Sequence, residues 1–418
     1  MNRPHSLKKS FDRPVPRAGV SVSEIVVVLI IVFIVIGLGA PVLMRLREQS
    51  RDVQCQNHLR QIGVAFLQFA DENDATQLST GAHDFLSDGC PIEFGWVSDL
   101  YHLKRLSGAT LHCPSHSLTH AEGVADLVGT PGTPSVTRMP ADLNFRLGGE
   151  CADFLVEAKD GEPVGDGKLP PGDSGRIEMA SEMIRSGMTT NYAPSWYLAR
   201  SGIAWERADD GLWQTSPDWP VSERGATFGP LNLRLLAISP IPQQNIPLLA
   251  EGTPTIKVSE TLASVNGLTQ GEHLVAAMLN GPVTWDQSTD SFVSLPPGTV
   301  ADRLPVDDCE TGPFCGDELP TAEVEGDGGV DGKIWLQDTR NWAPQHPDFA
   351  AGVMTLNILM ADGSVKKVRD LNSDNWINPG FPIPNDSELS VPTVELLPFQ
   401  VYSGSIVPHS LSRENFLD

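Results

Sequence analysis

The stretch 20–44 constrains this chain more than any other. It reads VSVSEIVVVLIIVFIVIGLGAPVLM, and from Ile25 to Met44 it runs without a charge. As a helix rising about 1.5 Å per residue, that run would be roughly 30 Å long, the thickness of a bilayer's hydrocarbon core. A helix on a soluble core shows a polar face, and this β-branched run has none. The expectation is a transmembrane helix over 25–44. A basic leader (Arg3, Lys8, Lys9, Arg13, Arg17) precedes it and ends at Ala18-Gly19, with Glu24 at the fifth place after that glycine. An ordinary secretory signal puts its small-residue cleavage site after the apolar run, where Gly39-Ala40-Pro41 offers one, and does not begin that run with an acid.

The leader, Gly19, Glu24 and the apolar run together resemble the cleavage and methylation region of type IV prepilins and type II secretion pseudopilins. That resemblance implies cleavage by a prepilin peptidase between Gly19 and Val20, methylation of the new amine, and a helix bent at Pro41. Val20 stands where the family usually has Phe. An ionised Glu24 in hydrocarbon needs a partner or a proton. The amine of a neighbouring copy would supply the partner and set the register of a filament; alternatively, Glu24 sits at the interface in reach of water. The segment RDVQCQNHLRQIGVAFLQFADEND is similar to that of the pilin-like family abundant in planctomycetes, matching it at Cys55, Asn57, Leu59, Gln61, Ile62 and Gly63. The stretch Thr110–Ser115 and the Asp362-Gly363 pair resemble the same family. Its C-terminal histidine, however, is separated from Asp-Gly by nine residues, a place held here by Gly352, whereas fifteen residues separate His346 from Asp362.

The charge distribution supports the same orientation. The net charge is −24, yet residues 1–60 carry nine Lys/Arg against four Asp/Glu, leaving twenty against forty-nine beyond. A basic segment before the apolar run and an acidic body after it fit a cytoplasmic leader and an external body. An acidic body without a Lys/Arg cluster excludes nucleic acid as the expected partner. The 38 glycines and 34 prolines indicate a loop-rich body rather than a bundle.

The expected organisation is a leader over 1–19, a helix over 20–73, a domain over 74–385 with insertions at about 158–179 and 286–332, and a tail over 386–418. Leu59, Ile62, Phe66 and Phe69 carry the helix beyond the apolar run. Asn357–Lys366 reads as a hairpin turning at Asp362-Gly363. Residues 190–199 and the runs Leu231–Ile238 and Ile246–Ala250 read as strands. The expected fold is α+β and pilin-like: a long N-terminal transmembrane helix followed by an antiparallel-sheet domain with large insertions.

The chemistry legible in the sequence is sparse. Six cysteines in an oxidising compartment permit disulfides, and Cys309 with Cys315 encloses a short turn-like loop that favours pairing. Cys55 is read as free. Cys113-x2-His116-x3-His120 offers three zinc ligands without a specified fourth, and Cys113 pairs more readily with Cys90 or Cys151. Asp370, Asn372, Asp374 and Asn378 follow the first positions of a calcium loop, though Phe381 replaces the usual bidentate acid. An Asn/Asp turn capped by its own backbone explains the same residues. No catalytic motif is present, and Ser195 has no identified base, so no enzyme is expected. The function expected is a pilin- or pseudopilin-like subunit held in the inner membrane and assembled with copies of itself. The alternative is a monomeric signal-anchored domain that binds a ligand or the envelope.

Overall fold

The computed structural model describes residues 19, 21–104, 106–130, 132–133, 146, 149, 155–157, 163–164, 169–208, 213–239, 241–286, 288–301, 335–380, 393–397 and 400–403. The leader, Val20, Cys309 and Cys315 lie outside these residues, as do most of the insertion at 286–332 and part of the one at 158–179. Two units are distinguished, 1–49 and 50–418, and helix α1 (Val22–Glu72) runs from the first into the second.

In the first unit, α1 starts from a capping box. The Ser21 amide donates to Glu24 Oε2 at 2.8 Å, and the Glu24 amide donates to Ser21 Oγ at 3.3 Å. These bonds to Ser21 hold the Glu24 carboxyl below its ordinary range. Glu24 thus has a local partner within its own chain. The helix continues through position 41, and the large apolar residues described between Val22 and Leu46 are exposed.

Among the described residues, no helix is long and apolar enough to cross a membrane. This corrects the single-pass inner-membrane topology, the transmembrane helix over 25–44, and the pilus and type II secretion role built on it. The fold remains α+β, but its sheets are mixed rather than purely antiparallel: Gly132–Thr133 pairs parallel to Leu155–Glu157, which pairs antiparallel to Pro163–Val164.

In the second unit, α1 buries Cys55, Leu59, Ile62, Phe66 and Ala70, one stripe at helical spacing. The short helices are α2 (Phe85–Asp88), α3 (Trp96–His102), α4 (Gly123–Gly129), α5 (Ser174–Arg185), α6 (Trp196–Arg200) and α7 (Leu233–Ile238). The central sheet holds β1 (Tyr192–Pro194), β2 (Pro247–Glu251), β3 (His346–Asp348), β4 (Val353–Met360) and β5 (Val365–Arg369). All its pairings are antiparallel. β4 pairs with β3 near its start and with β2 near its end, β5 lies along it over 355–359, and β1 pairs with β2. The expected hairpin is therefore β4–β5. Its Gly363 sits at φ +81, where a side chain is strained, and Asp362 Oδ1 accepts from the Ser364 amide. Gly63 sets how closely α1 approaches this hairpin: a Cβ there would lie 3.0 Å from Leu359 Cδ1.

Several local readings change. The strand over 190–199 stops at Pro194, because Ser195 Oγ accepts from the Leu198 amide and caps α6. The run 231–238 is helical for the same reason, with Asn232 Oδ1 accepting from the Leu235 amide. The surface excursion expected over 158–179 ends in α5, which begins at Ser174 behind the cap Asp173. Leu396, Val401 and Tyr402, from the expected tail, are buried.

A fully buried ion network ties α2 to the segments behind it. Asp88 Oδ1 accepts from Arg200 Nη1 at 2.8 Å and from Arg224 Nε, while Asp88 Oδ2 accepts from the Ala82 amide at 2.9 Å. Removing its charge strands two guanidinium groups in the interior. Asp88→Asn is expected to cost about 3–5 kcal/mol of unfolding free energy, read from urea midpoints. A loss under 1 kcal/mol would show the network to be hydrated.

Candidate metal centre

Four buried side chains from distant parts of the chain converge where α1 crosses the central sheet. Cys55 comes from the buried stripe of α1, Glu251 from the end of β2, His346 from the start of β3, and Cys113 from the loop after residues 108–111. One potential ligand atom from each lies within 4.8 Å of all the others. Cys55 Sγ donates to Glu251 Oε1 at 2.8 Å, His346 Nε2 bonds the same oxygen at 2.9 Å, and Cys113 Sγ lies 3.4 Å from His346 Nε2. Edges of a tetrahedron around zinc are about 3.3–3.8 Å for such ligands. The four atoms reach that shell by small outward shifts.

The surroundings fix each ligand. Asn191, just before β1, clamps the Cys113 loop: its Oδ1 accepts from the Cys113 amide at 2.7 Å, and its Nδ2 donates to the carbonyls of Cys113 and Leu118. His58 on α1 bonds the His112 carbonyl at 2.8 Å. Glu251 Oε2 accepts from the Asn357 amide in β4 at 2.9 Å, and the Tyr192 hydroxyl lies 3.2 Å from Cys55 Sγ. Asp52, one turn before Cys55, stands 3.8 Å from His346 Nδ1, a buried nitrogen with no hydrogen-bond partner. Asp52 is itself held by Asn357 Nδ2 at 2.9 Å and by Lys367 Nζ.

Burial and charge set the proton states. Burial pushes the Cys55 thiol well up, reinforced by Cys113 and Glu251. Burial also works against the Cys113 thiolate, but hydrogen bonds from Cys55 and His346 outweigh it and lower Cys113. Burial works to raise Glu251, but the bond and charge of His346, with the bonds from Cys55 and the Asn357 amide, outweigh it and lower the carboxyl. His346 is pushed up to about 10: burial opposes its charge, yet Cys113 and Glu251 stabilise the imidazolium more strongly.

The residues singled out from the sequence are placed differently. Cys55 and Cys113 carry free thiols; Cys90 is disulfide-bonded to a partner outside the described residues. No disulfide joins two described cysteines, which corrects the disulfide expected at Cys113. His116 Nδ1 accepts from the Leu118 amide and its Nε2 donates to the Gly252 carbonyl, while His120 Nδ1 lies 3.4 Å from Thr189 Oγ1. Neither histidine joins Cys113 in a ligand cluster; the group that does contains His346 and Glu251.

At the expected calcium loop, Asp370 accepts from the amides of Ser373 and Asn375, Asn372 from Asp374, Asp374 from Trp376, and Asn378 from Gly380. These oxygens serve the turn's own backbone, and the described residues gather no ligand cluster there. No family, no curated protein and no solved structure matches this chain.

The chelator-treated chain makes the His346 state measurable. A His value raised in the folded state contributes stability that is complete below about pH 6.5 and is lost as pH rises through about 10. Cys55 and Tyr192, held protonated by burial, lose stability in the same direction. Urea midpoints between pH 7 and 10.5 should therefore fall further for the wild-type chain than for His346→Gln. Equal slopes would show that His346 is not an imidazolium in the folded chain.

Proposed function

We propose that this chain is a metal-binding domain in which one divalent ion, held by Cys55, Cys113, Glu251 and His346, joins α1, the Cys113 loop and the central sheet. One observation carries the reading: four chemically suitable ligand atoms, all on buried side chains, lie within 4.8 Å of one another. Two thiolates, an imidazole and a carboxylate suit zinc, which takes four-coordinate sulfur, nitrogen and oxygen shells. Four protein ligands leave no position for water or substrate, the arrangement of a structural rather than a catalytic site.

Binding replaces protons. Thiolate and neutral imidazole are the ligating forms, so Cys55 and His346 each give up a proton, together with whatever fraction Cys113 still carries. Asp52 then takes the part of the outer carboxylate, facing His346 Nδ1–H once Nε2 is engaged. Such partners orient the ring and raise its basicity, and removing them costs roughly 10–100-fold in affinity.

Metal analysis of the full-length chain, purified under reducing conditions, tests the reading. About one zinc per chain is expected, with binding lost in Cys113→Ser, weakened about 10–100-fold in Asp52→Asn, and restored toward wild type in Asp52→Glu. Calorimetry in buffers of different ionisation enthalpy should show about two to three protons released per ion. A reduced, folded chain that takes up neither zinc nor cobalt at micromolar concentration overturns the proposal.

A further inference from the structure

Cys55 and Cys113 are free thiols on separate segments, and their sulfurs lie within 4.8 Å of each other. We infer that these two cysteines form an oxidisable pair, a disulfide modification site for a small peroxide, and that the disulfide form cannot hold the ion. The inference rests on the metal-binding reading above and adds its regulation.

The geometry restricts the chemistry. Both side chains are buried, Cys55 at 0% and Cys113 at 1% exposure. A protein disulfide or another bulky oxidant cannot reach either sulfur without local unfolding, whereas hydrogen peroxide is close to water in size. Cys90 is already bonded elsewhere, so it does not compete for either thiol. The Tyr192 hydroxyl and Glu251 carboxylate, both in contact with Cys55 Sγ, are not thiols and resolve no oxidised sulfur. The nearest described partner for an oxidised cysteine here is the other one.

The reaction balances in two displacements. One thiolate attacks a peroxide oxygen; the S–O bond forms, the O–O bond breaks, and hydroxide leaves, giving a sulfenic acid. The second thiolate attacks that sulfur; the S–S bond forms, the S–O bond breaks, and a second hydroxide leaves. The two sulfurs together lose two electrons, the peroxide gains them, and two protons convert both hydroxides to water. The product retains His346 and Glu251 but offers no thiolate, and two of four ligands do not retain a structural ion. Contacts that clamp the Cys113 loop, above all Asn191, leave its position otherwise intact, so a reductant restores the dithiol.

The test titrates zinc-loaded, full-length wild-type chain with hydrogen peroxide. Zinc release is followed with a chromogenic chelator, thiol loss with a maleimide after the peroxide is quenched and the chain is denatured, and cross-links by peptide mapping. The expected result is one zinc released for every two thiols lost, a linked Cys55–Cys113 peptide, and zinc re-binding after phosphine reduction in denaturant and refolding. Cys55→Ser should give sulfenic or sulfinic acid at Cys113 instead of the cross-link. Zinc retained after both thiols are oxidised overturns the inference while the metal-binding reading stands. Oxidation that yields no Cys55–Cys113 peptide in the wild type also overturns it, whether or not the variants fold. A reduced chain that binds no zinc overturns the proposed function first, and this coupling with it.

Discussion

Burial of four ionisable side chains at one point is the constraint on which the centre of this molecule depends. Cys55, Cys113, Glu251 and His346 leave water together, and desolvation acts on every one of them. Each is tolerated only because another supplies an opposite charge or a hydrogen bond. That mutual dependence fixes where α1 crosses the sheet. A slip of one residue in β2 would turn Glu251 to the opposite face, and a rotation of α1 would withdraw both Cys55 and Asp52. The apolar stripe and the polar cluster demand the same alignment, and Gly63 permits it by letting the helix approach the β4–β5 hairpin closely.

The parts of the fold legible in the sequence are those set by neighbours along the chain. The stripe Leu59, Ile62, Phe66, Phe69 is buried as its spacing demands, and Asp362-Gly363 makes the turn that joins β4 to β5. Local chemistry also sets three helix starts that the hydrophobic pattern masks. Ser21-x-x-Glu24 is a capping box spelled out in four residues just before the long apolar run. Ser195 and Asn232 are N-caps, each converting an apparent strand into a short helix, because a side-chain oxygen satisfying a free amide outweighs the weak strand preference of the residues after it.

The site was less legible because its members are far apart in the chain. The spacing Cys113-x2-His116-x3-His120 points to histidines that are engaged elsewhere: the His116 ring bonds the Leu118 amide and the Gly252 carbonyl, and His120 lies against the Thr189 hydroxyl. His346 does not match the family's spacing, because fifteen residues separate it from Asp362 rather than nine. The structure explains that spacing: β3 and β4 form a hairpin whose turn ends at Gly352, at φ +74. The extra residues form that turn, and they place the histidine on the strand edge beside Glu251. Glu251 itself carried one signal, a carboxylate ending the apolar run Ile246–Ala250, where β2 is buried on both sides.

An apolar core would be the cheaper way to join a helix to a sheet. Well-packed hydrophobic residues commonly stabilise as much as a buried ion pair of similar volume, without its desolvation cost. The cluster is flanked by residues that already form such a core: Leu59 and Ile62 on α1 and Leu359 on β4, all at 0% exposure. Instead, β4 presents Asn357 between its two aliphatic neighbours, β2 ends in a carboxylate, and a histidine is left with one ring nitrogen unsatisfied. A divalent cation would offset these costs together: it would take the carboxylate and both sulfurs as ligands and displace the proton that sets His346 against its burial, leaving His346 Nδ1 facing the carboxylate of Asp52. Polar groups too expensive for packing alone are the groups a metal ion would stabilise.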